Sequence, residues 1–183
     1  MNSVHAKVVL LGDGGVGKTA SIYRFIENKF KSDYVATVGF TILNKTVIAK
    51  NTSVNLQLWD MGGQKHFQKL RSNFYKGTYA ALLVFDVTNL DSFNNLEAWI
   101  SEAVENIGHE IPFILVGNKA DLELHRIVNK EMMLKRVAKE RRIVAFFETS
   151  ALTGIGINEA YEKLAIKIEE IILEREENRF KRK

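Results

Sequence analysis

The run Gly12-Asp13-Gly14-Gly15-Val16-Gly17-Lys18-Thr19 places glycines, a lysine and a hydroxyl at a spacing suited to a chain of phosphates. The glycines let the backbone curl until successive N–H groups, from Asp13 to Ala20, face one centre. A helix opening directly behind them adds the partial positive charge of its N-terminus. Lys18 would reach the two outer phosphates, and the Thr19 hydroxyl would ligate a Mg²⁺ ion carried with them. The plainer alternative is a glycine-rich turn with an incidental lysine. The apolar run before the motif and the helical pattern after it weigh against that alternative.

A second run, Asn118-Lys119-Ala120-Asp121, follows another apolar stretch. A carboxylate at Asp121 can accept from both the ring N–H and the amino group of guanine. Adenine presents a lone pair where guanine presents a donor, and sites built on such pairing discriminate by roughly 10⁴–10⁵. The Lys119 stem would cover one face of the base, and Asn118 would brace the loop. Alone, this tetrapeptide describes many exposed turns; its meaning comes from the upstream phosphate motif.

The third run is Leu56-Gln57-Leu58-Trp59-Asp60-Met61-Gly62-Gly63-Gln64. Asp60, at a strand end, can hold a water on Mg²⁺; the glycine pair allows main chain close to a terminal phosphate; Gln64 has the donor and acceptor needed to orient an attacking water. Taken singly, Asp60 is a turn residue and Gln64 a surface glutamine.

The elements that must position these groups are legible in the polarity pattern. Residues 4–11 form a short apolar run ending in the glycine turn, which predicts a buried strand, with a helix starting over residues 18–25. Residues 41–49 and 54–59 alternate like a hairpin, with residues 50–53 as its turn. Residues 80–87, 112–116 and 144–147 are nearly all apolar, as strands covered on both faces should be. Helices are expected over residues 90–107, 129–140 and 158–177; in the last, Ile157, Tyr161, Leu164, Ile168 and Ile172 recur at three- and four-residue spacing. Strands alternating with helices argue for an open α/β sheet, mostly parallel with one antiparallel edge.

The 183 residues suit one domain with a substantial core, and the 46% hydrophobic content is ordinary for a globular protein. There is no cysteine, which removes disulfides and thiolate metal sites, and no apolar run approaches a membrane span. A cytoplasmic protein is expected. The net charge of +4 is that of the last five residues, where Arg179, Lys181, Arg182 and Lys183 stand; setting those four aside leaves 22 basic against 22 acidic residues. A neutral body with a basic tail argues against nucleic acid as a partner. The expected organisation is a folded unit over residues 1–178 and a short tail over residues 179–183.

The order of these motifs, with Thr37 standing 23 residues before Asp60 and Ser150-Ala151 closing the set, resembles the Ras superfamily of small GTPases from about residue 4 to 177, and the Rab branch most. The resemblance implies a P-loop NTPase fold of three layers, with six strands and about five helices. It also implies GTP and GDP as ligands with Mg²⁺, and slow hydrolysis of GTP to GDP. By position, Phe30 resembles the aromatic that packs on guanine and Tyr34 the tyrosine that closes over the phosphates. Thr37 resembles the threonine that completes the Mg²⁺ shell in the GTP state, alongside Thr19 and Asp60. Gly63 resembles the N–H donor that senses the γ-phosphate, and the Ala151 N–H would read guanine O6 within the Ser150-Ala151-Leu152 loop. Lys18, Thr37 and Gln64 would be the catalytic set.

Several positions depart from the Rab pattern. Met61-Gly62-Gly63-Gln64 and Ala36-Thr37-Val38-Gly39-Phe40 resemble the Arf branch, Leu152 stands where a lysine is usual, and Gly14 resembles Ras. Without cysteine and with Asn2 after the initiating Met, prenyl and myristoyl anchors are not expected. The tail then reads either as a solvated helix end or as a weak contact with anionic lipid, at about 1 kcal/mol per basic residue. The expected partners are effectors, an exchange factor and a GTPase-activating protein, with Val38, Phe40, Phe67 and Leu70 as an apolar contact patch on a monomer. A nucleotide-locked scaffold is the alternative, against which intact Lys18, Thr19, Thr37, Asp60 and Gln64 stand. No arginine precedes Thr37 in Lys31-Ser32-Asp33-Tyr34-Val35-Ala36, so unaided hydrolysis should be slow.

Overall fold

The computed structural model describes residues 2–30, 37, 39–63 and 71–181. Its centre is a six-stranded sheet: β1 (Asn2–Leu11), β2 (Phe40–Ala49), β3 (Thr52–Met61), β4 (Thr78–Asp86), β5 (Phe113–Asn118) and β6 (Ile143–Glu148), in the order β2-β3-β1-β4-β5-β6. Only β2 runs antiparallel, pairing with β3 from Phe40↔Met61 to Ala49↔Thr52. The connection is therefore the two residues Lys50 and Asn51, shorter than the four-residue turn expected, and Lys50 takes the left-handed φ of 32° that so tight a reversal demands.

Five α-helices are described: α1 (Lys18–Glu27), α2 (Leu90–Asn94), α3 (Leu96–Ile107), α4 (Lys130–Lys139) and α5 (Ile157–Lys181). Two of them start on an asparagine cap. Asn89 accepts from the Ser92 N–H at 3.1 Å, and Asn129 accepts from the Met132 N–H at 3.0 Å.

Alternate residues of each central strand feed opposite faces, which gives the sheet two separate cores. Val8 and Leu10 of β1, with Leu56 and Leu58 of β3, pack beneath Ile22 and Phe25 of α1 and Tyr161, Leu164 and Ile168 of α5. Val9 and Leu11 meet Leu83 and Phe85 on the other face, under Leu96, Trp99 and Ile100 of α3 and Met133 of α4. Phe25 and Tyr161 stack with centroids 4.1 Å apart, tying the two helices of the first layer together.

Three further expectations change. The helix over residues 90–107 is two helices, interrupted at Asn95, whose side chain is drawn off to the glycine loop (below). The strand at residues 143–148 is not covered on both faces: it is the last in the sheet and half-exposed, because sequence polarity does not distinguish a terminal strand from a central one. The final helix runs on to Lys181, so Arg179, Phe180 and Lys181 form its exposed last turn. Among the described residues no helix is long and apolar enough to cross a membrane.

Candidate functional site

All three motifs lie at the C-terminal edge of the parallel strands, where an open α/β sheet places its ligand crevice. The loop after β1 leads directly into α1, whose first residue is Lys18. Gly17 caps that helix at φ 96°, and a Cβ there would lie 2.2 Å from Asn118 Nδ2; only glycine allows both the turn and the close approach. The Lys18 ammonium, 6% exposed, donates to the Gly12 carbonyl at 2.7 Å and to the Asp13 carbonyl at 2.9 Å. Burial pushes it down to about 8 against the pull of Asp60 and Asp13.

Three oxygens meet beside it. Thr19 Oγ1 lies 2.8 Å from Thr37 Oγ1 and donates to Asp60 Oδ2, and Thr37 Oγ1 donates to the same oxygen at 3.4 Å. Asp60 is buried at 1% exposure, and its Oδ1 has no partner among the described residues. Burial raises its carboxyl above the ordinary range, with the Thr19 hydroxyl and the Lys18 charge opposing. Two hydroxyls and a carboxylate with a spare buried oxygen form a hard donor set of the kind Mg²⁺ prefers. Gly63 closes over the glycine loop: a Cβ on it would come within 2.4 Å of Asp13 and Gly12 main-chain atoms.

A cavity of about 310 Å³ opens at the other end, lined by Gly15, Gly17, Ala20, Phe30, Asn118, Lys119, Asp121, Leu122, Ala151 and Leu152. Asn118 is its hub. Nδ2 donates to the Val16 carbonyl at 2.9 Å, while Oδ1 accepts from Thr149 Oγ1 at 3.1 Å and the Ala151 N–H at 3.2 Å. One amide thus joins the glycine loop to the loop after β6. The Lys119 side chain borders the cavity and pairs with Asp86 at 2.5 Å. Hydrogen bonds from Lys119 and Thr88 outweigh the effect of burial and hold the Asp86 carboxyl below its ordinary range. Ser150 lies outside the lining; its Oγ accepts from the Thr153 N–H at 3.0 Å and shapes the loop.

The Asp13 side chain points away from the crevice. It accepts from Asn95 Nδ2 at 2.7 Å and Trp99 Nε1 at 2.8 Å, so only its main chain faces the phosphate side. Next to it, Arg71 stacks on Trp99, forks both Glu102 oxygens at 2.7 and 2.8 Å, and donates to the Gly62 carbonyl at 3.1 Å. The Tyr75 hydroxyl completes the cluster at 2.8 Å from Glu102. Sequence reasoning missed this scaffold. Asn95 and Trp99 stand four apart on what reads as one helix, a spacing that marks a shared face but not its partner. Arg24, which bonds the Ala151 and Leu152 carbonyls, was missed as well and carried no sequence signal.

Gly14 is exposed beside the crevice, and Val16 is buried beneath it. Tyr34, Val38, Gln64, Phe67 and Leu70 lie outside the described residues. Phe40, by contrast, is 43% exposed and clusters with Trp59 and Phe74, with centroids 5.7 and 4.3 Å from its own.

Comparison with known proteins adds independent findings. A family model described as Ras family matches residues 7–170. "Ras-related protein Rab-13" of Rattus norvegicus is 40% identical over 159 residues, covering 87% of this chain and 77% of the relative. "Ypt/Rab-type GTPase ypt7" of Schizosaccharomyces pombe is 42% identical over 164 residues, covering 87% and 80%. "Ras-related protein Rab-4" of Dictyostelium discoideum is 39% identical over 157 residues, covering 86% and 76%.

Proposed function

The chain belongs to the Ras family, as a GTP-hydrolysing small GTPase of its Rab branch, and from that premise we propose that it is a switch in membrane traffic whose surface follows the nucleotide it holds. The observation that carries this reading is the convergence of Thr19, Thr37 and Asp60 oxygens beside buried Lys18, at one end of a crevice whose other end is walled by Asn118, Asp121 and Ala151.

In this reading the base enters the cavity between Phe30 and Leu152, with Asp121 accepting from guanine and Lys119 bordering it. Main-chain N–H groups from Asp13 to Ala20 and the Lys18 ammonium hold the phosphates. Thr19, Thr37 and Asp60 would hold Mg²⁺, with Asp60 Oδ1 free to accept from water beside it. When bound, Mg²⁺ neutralises charge on the β- and γ-phosphate oxygens. Gln64, assigned by its place in the motif, orients the water, and the Gly63 N–H meets the γ-phosphate. Loss of that phosphate releases Thr37 and Gly63, and the two segments they belong to loosen. The Gly62 N–H already donates to the Gly39 carbonyl at 2.9 Å, which couples one segment to the other.

Effectors, an exchange factor and a GTPase-activating protein would read these segments, with Phe40, Trp59 and Phe74 as an apolar platform. The protein acts as a cytoplasmic monomer, touching membranes peripherally through the basic end of α5. Single-turnover hydrolysis of GTP-loaded protein tests the reading. The expected unaided rate is roughly 10⁻⁴–10⁻³ s⁻¹, rising about 10³–10⁵-fold when a partner supplies an arginine. A rate above about 1 s⁻¹ would show a charge stabiliser in this chain that the assignment lacks. Bound GTP that never turns over would make the protein a locked scaffold.

A further inference from the structure

Arg24 sits in the last turn of α1, with Lys18 and Thr19 at that helix's start and Asn28 just past its end. Its guanidinium is spread over three main-chain carbonyls. Nε donates to Ala151 at 2.8 Å, Nη2 to Leu152, and Nη1 to Asn28 at 3.1 Å. The first two carbonyls belong to the loop after β6, more than 120 residues away in the chain. The third belongs to the residue that ends α1 in a left-handed turn at φ 53°, two residues before Phe30. Ala151 and Leu152, on the loop after β6, and Phe30, past the end of α1, all line the base cavity and form walls from two separate chain segments.

We infer that Arg24 is a positioning residue for nucleotide retention: it ties the Ala151-Leu152 wall to the Phe30 wall and so sets how fast a guanine nucleotide leaves. This rests on the guanine-nucleotide reading of the cavity. A planar fork with five donors can serve three carbonyls in different directions, whereas the ammonium of a lysine is a single point on a flexible stem. The stem adds packing: a Cβ built on Gly154 would contact Arg24 Cδ at 3.5 Å, so the arginine also underlies the turn of the base-side loop. Asn118 fixes the inner side of that loop through the Ala151 N–H, and Arg24 fixes its outer side through the carbonyls. The base leaves only when the two walls part, and parting them breaks charge-assisted hydrogen bonds. Entry passes through the same opening in reverse, so the tie slows both directions.

Arg24→Ala should therefore raise the release rate of GDP carrying a ribose-linked fluorophore by roughly 10- to 100-fold, the loss of one to two charge-assisted hydrogen bonds. The association rate constant should rise as well, because entry and exit share the opening that the tie opposes. Arg24→Lys keeps charge and stem while reaching fewer carbonyls, so its release rate should fall between the two. All three proteins should titrate to the same number of sites per chain, since the walls loosen without the fold being lost. Release from both variants at the wild-type rate would overturn the inference. So would a fall in titratable sites with unchanged release from those that remain, which marks partial unfolding and no role in retention. A wild-type chain that does not bind the GDP probe overturns the guanine-nucleotide reading itself, and this inference with it.

Discussion

Around the base cavity three side-chain groupings already have partners in place. Asn118 uses its amide on both sides, Arg24 serves three carbonyls, and Lys119, Asp86 and Thr88 close on one another. At the phosphate end burial runs ahead of compensation. Lys18 is pushed down to about 8, Asp60 is pushed up, and one Asp60 oxygen has no partner among the described residues. The first arrangement is a preorganised mould that gains recognition without rearranging. The second gains most when a ligand brings its own opposite charges, since unpaired charge in a low-dielectric site is expensive until it is met. Identity of the ligand is therefore read at one end and its state of charge at the other.

The sharpest way to break this division is at Asp121. Asp121→Asn replaces an acceptor by an amide that offers a donor to the extra carbonyl of xanthine. Base preference should move by roughly 10⁴–10⁵ from GDP toward XDP in calorimetric titrations. A wild-type chain that binds ADP as tightly as GDP would remove the base end from the comparison altogether.

A smaller effect is expected where the phosphate end is anchored to α3. Glu102→Ala leaves Arg71, 4% exposed, without its carboxylate and frees Tyr75, so urea unfolding of GDP-loaded protein should show a loss of about 3–5 kcal/mol. A loss under about 1 kcal/mol, the level of an exposed ion pair, would mean that the cluster contributes little to anchoring that end. Smaller still is Asn118→Ala. It leaves the Val16 carbonyl, the Thr149 hydroxyl and the Ala151 N–H to find water, at about 1–3 kcal/mol, read as GDP affinity weaker by roughly 10- to 100-fold. Unchanged affinity would show that the hub is replaceable.

The same comparison explains what the sequence made legible. Glycines, the lysine and Thr19 announce themselves because phosphate and Mg²⁺ chemistry demands those types at fixed spacing in one short stretch, whereas Thr37 was assigned by family resemblance. The mostly parallel sheet and its antiparallel edge followed from polarity runs and hairpin alternation. The groups that hold the site in place did not follow, because their contacts are long-range. Nothing local marks Arg24 as reaching residues 151 and 152, or Asp13 as turning toward Asn95 and Trp99. The break at Asn95 was hidden for the same reason: its side chain answers to the glycine loop, 82 residues earlier, and not to its neighbours in the helix. Tyr34 remains an assignment by resemblance and Gln64 one by motif.

Hydrogen exchange on the same protein loaded with GDP or with a non-hydrolysable GTP analogue tests the division most directly. Protection at Thr37, Gly39, Gly62 and Gly63 should be greater with the triphosphate, while residues 118–122 and 150–154 should exchange alike in both states. Equal changes at both ends, or no change at either, would contradict the separation of recognition from switching.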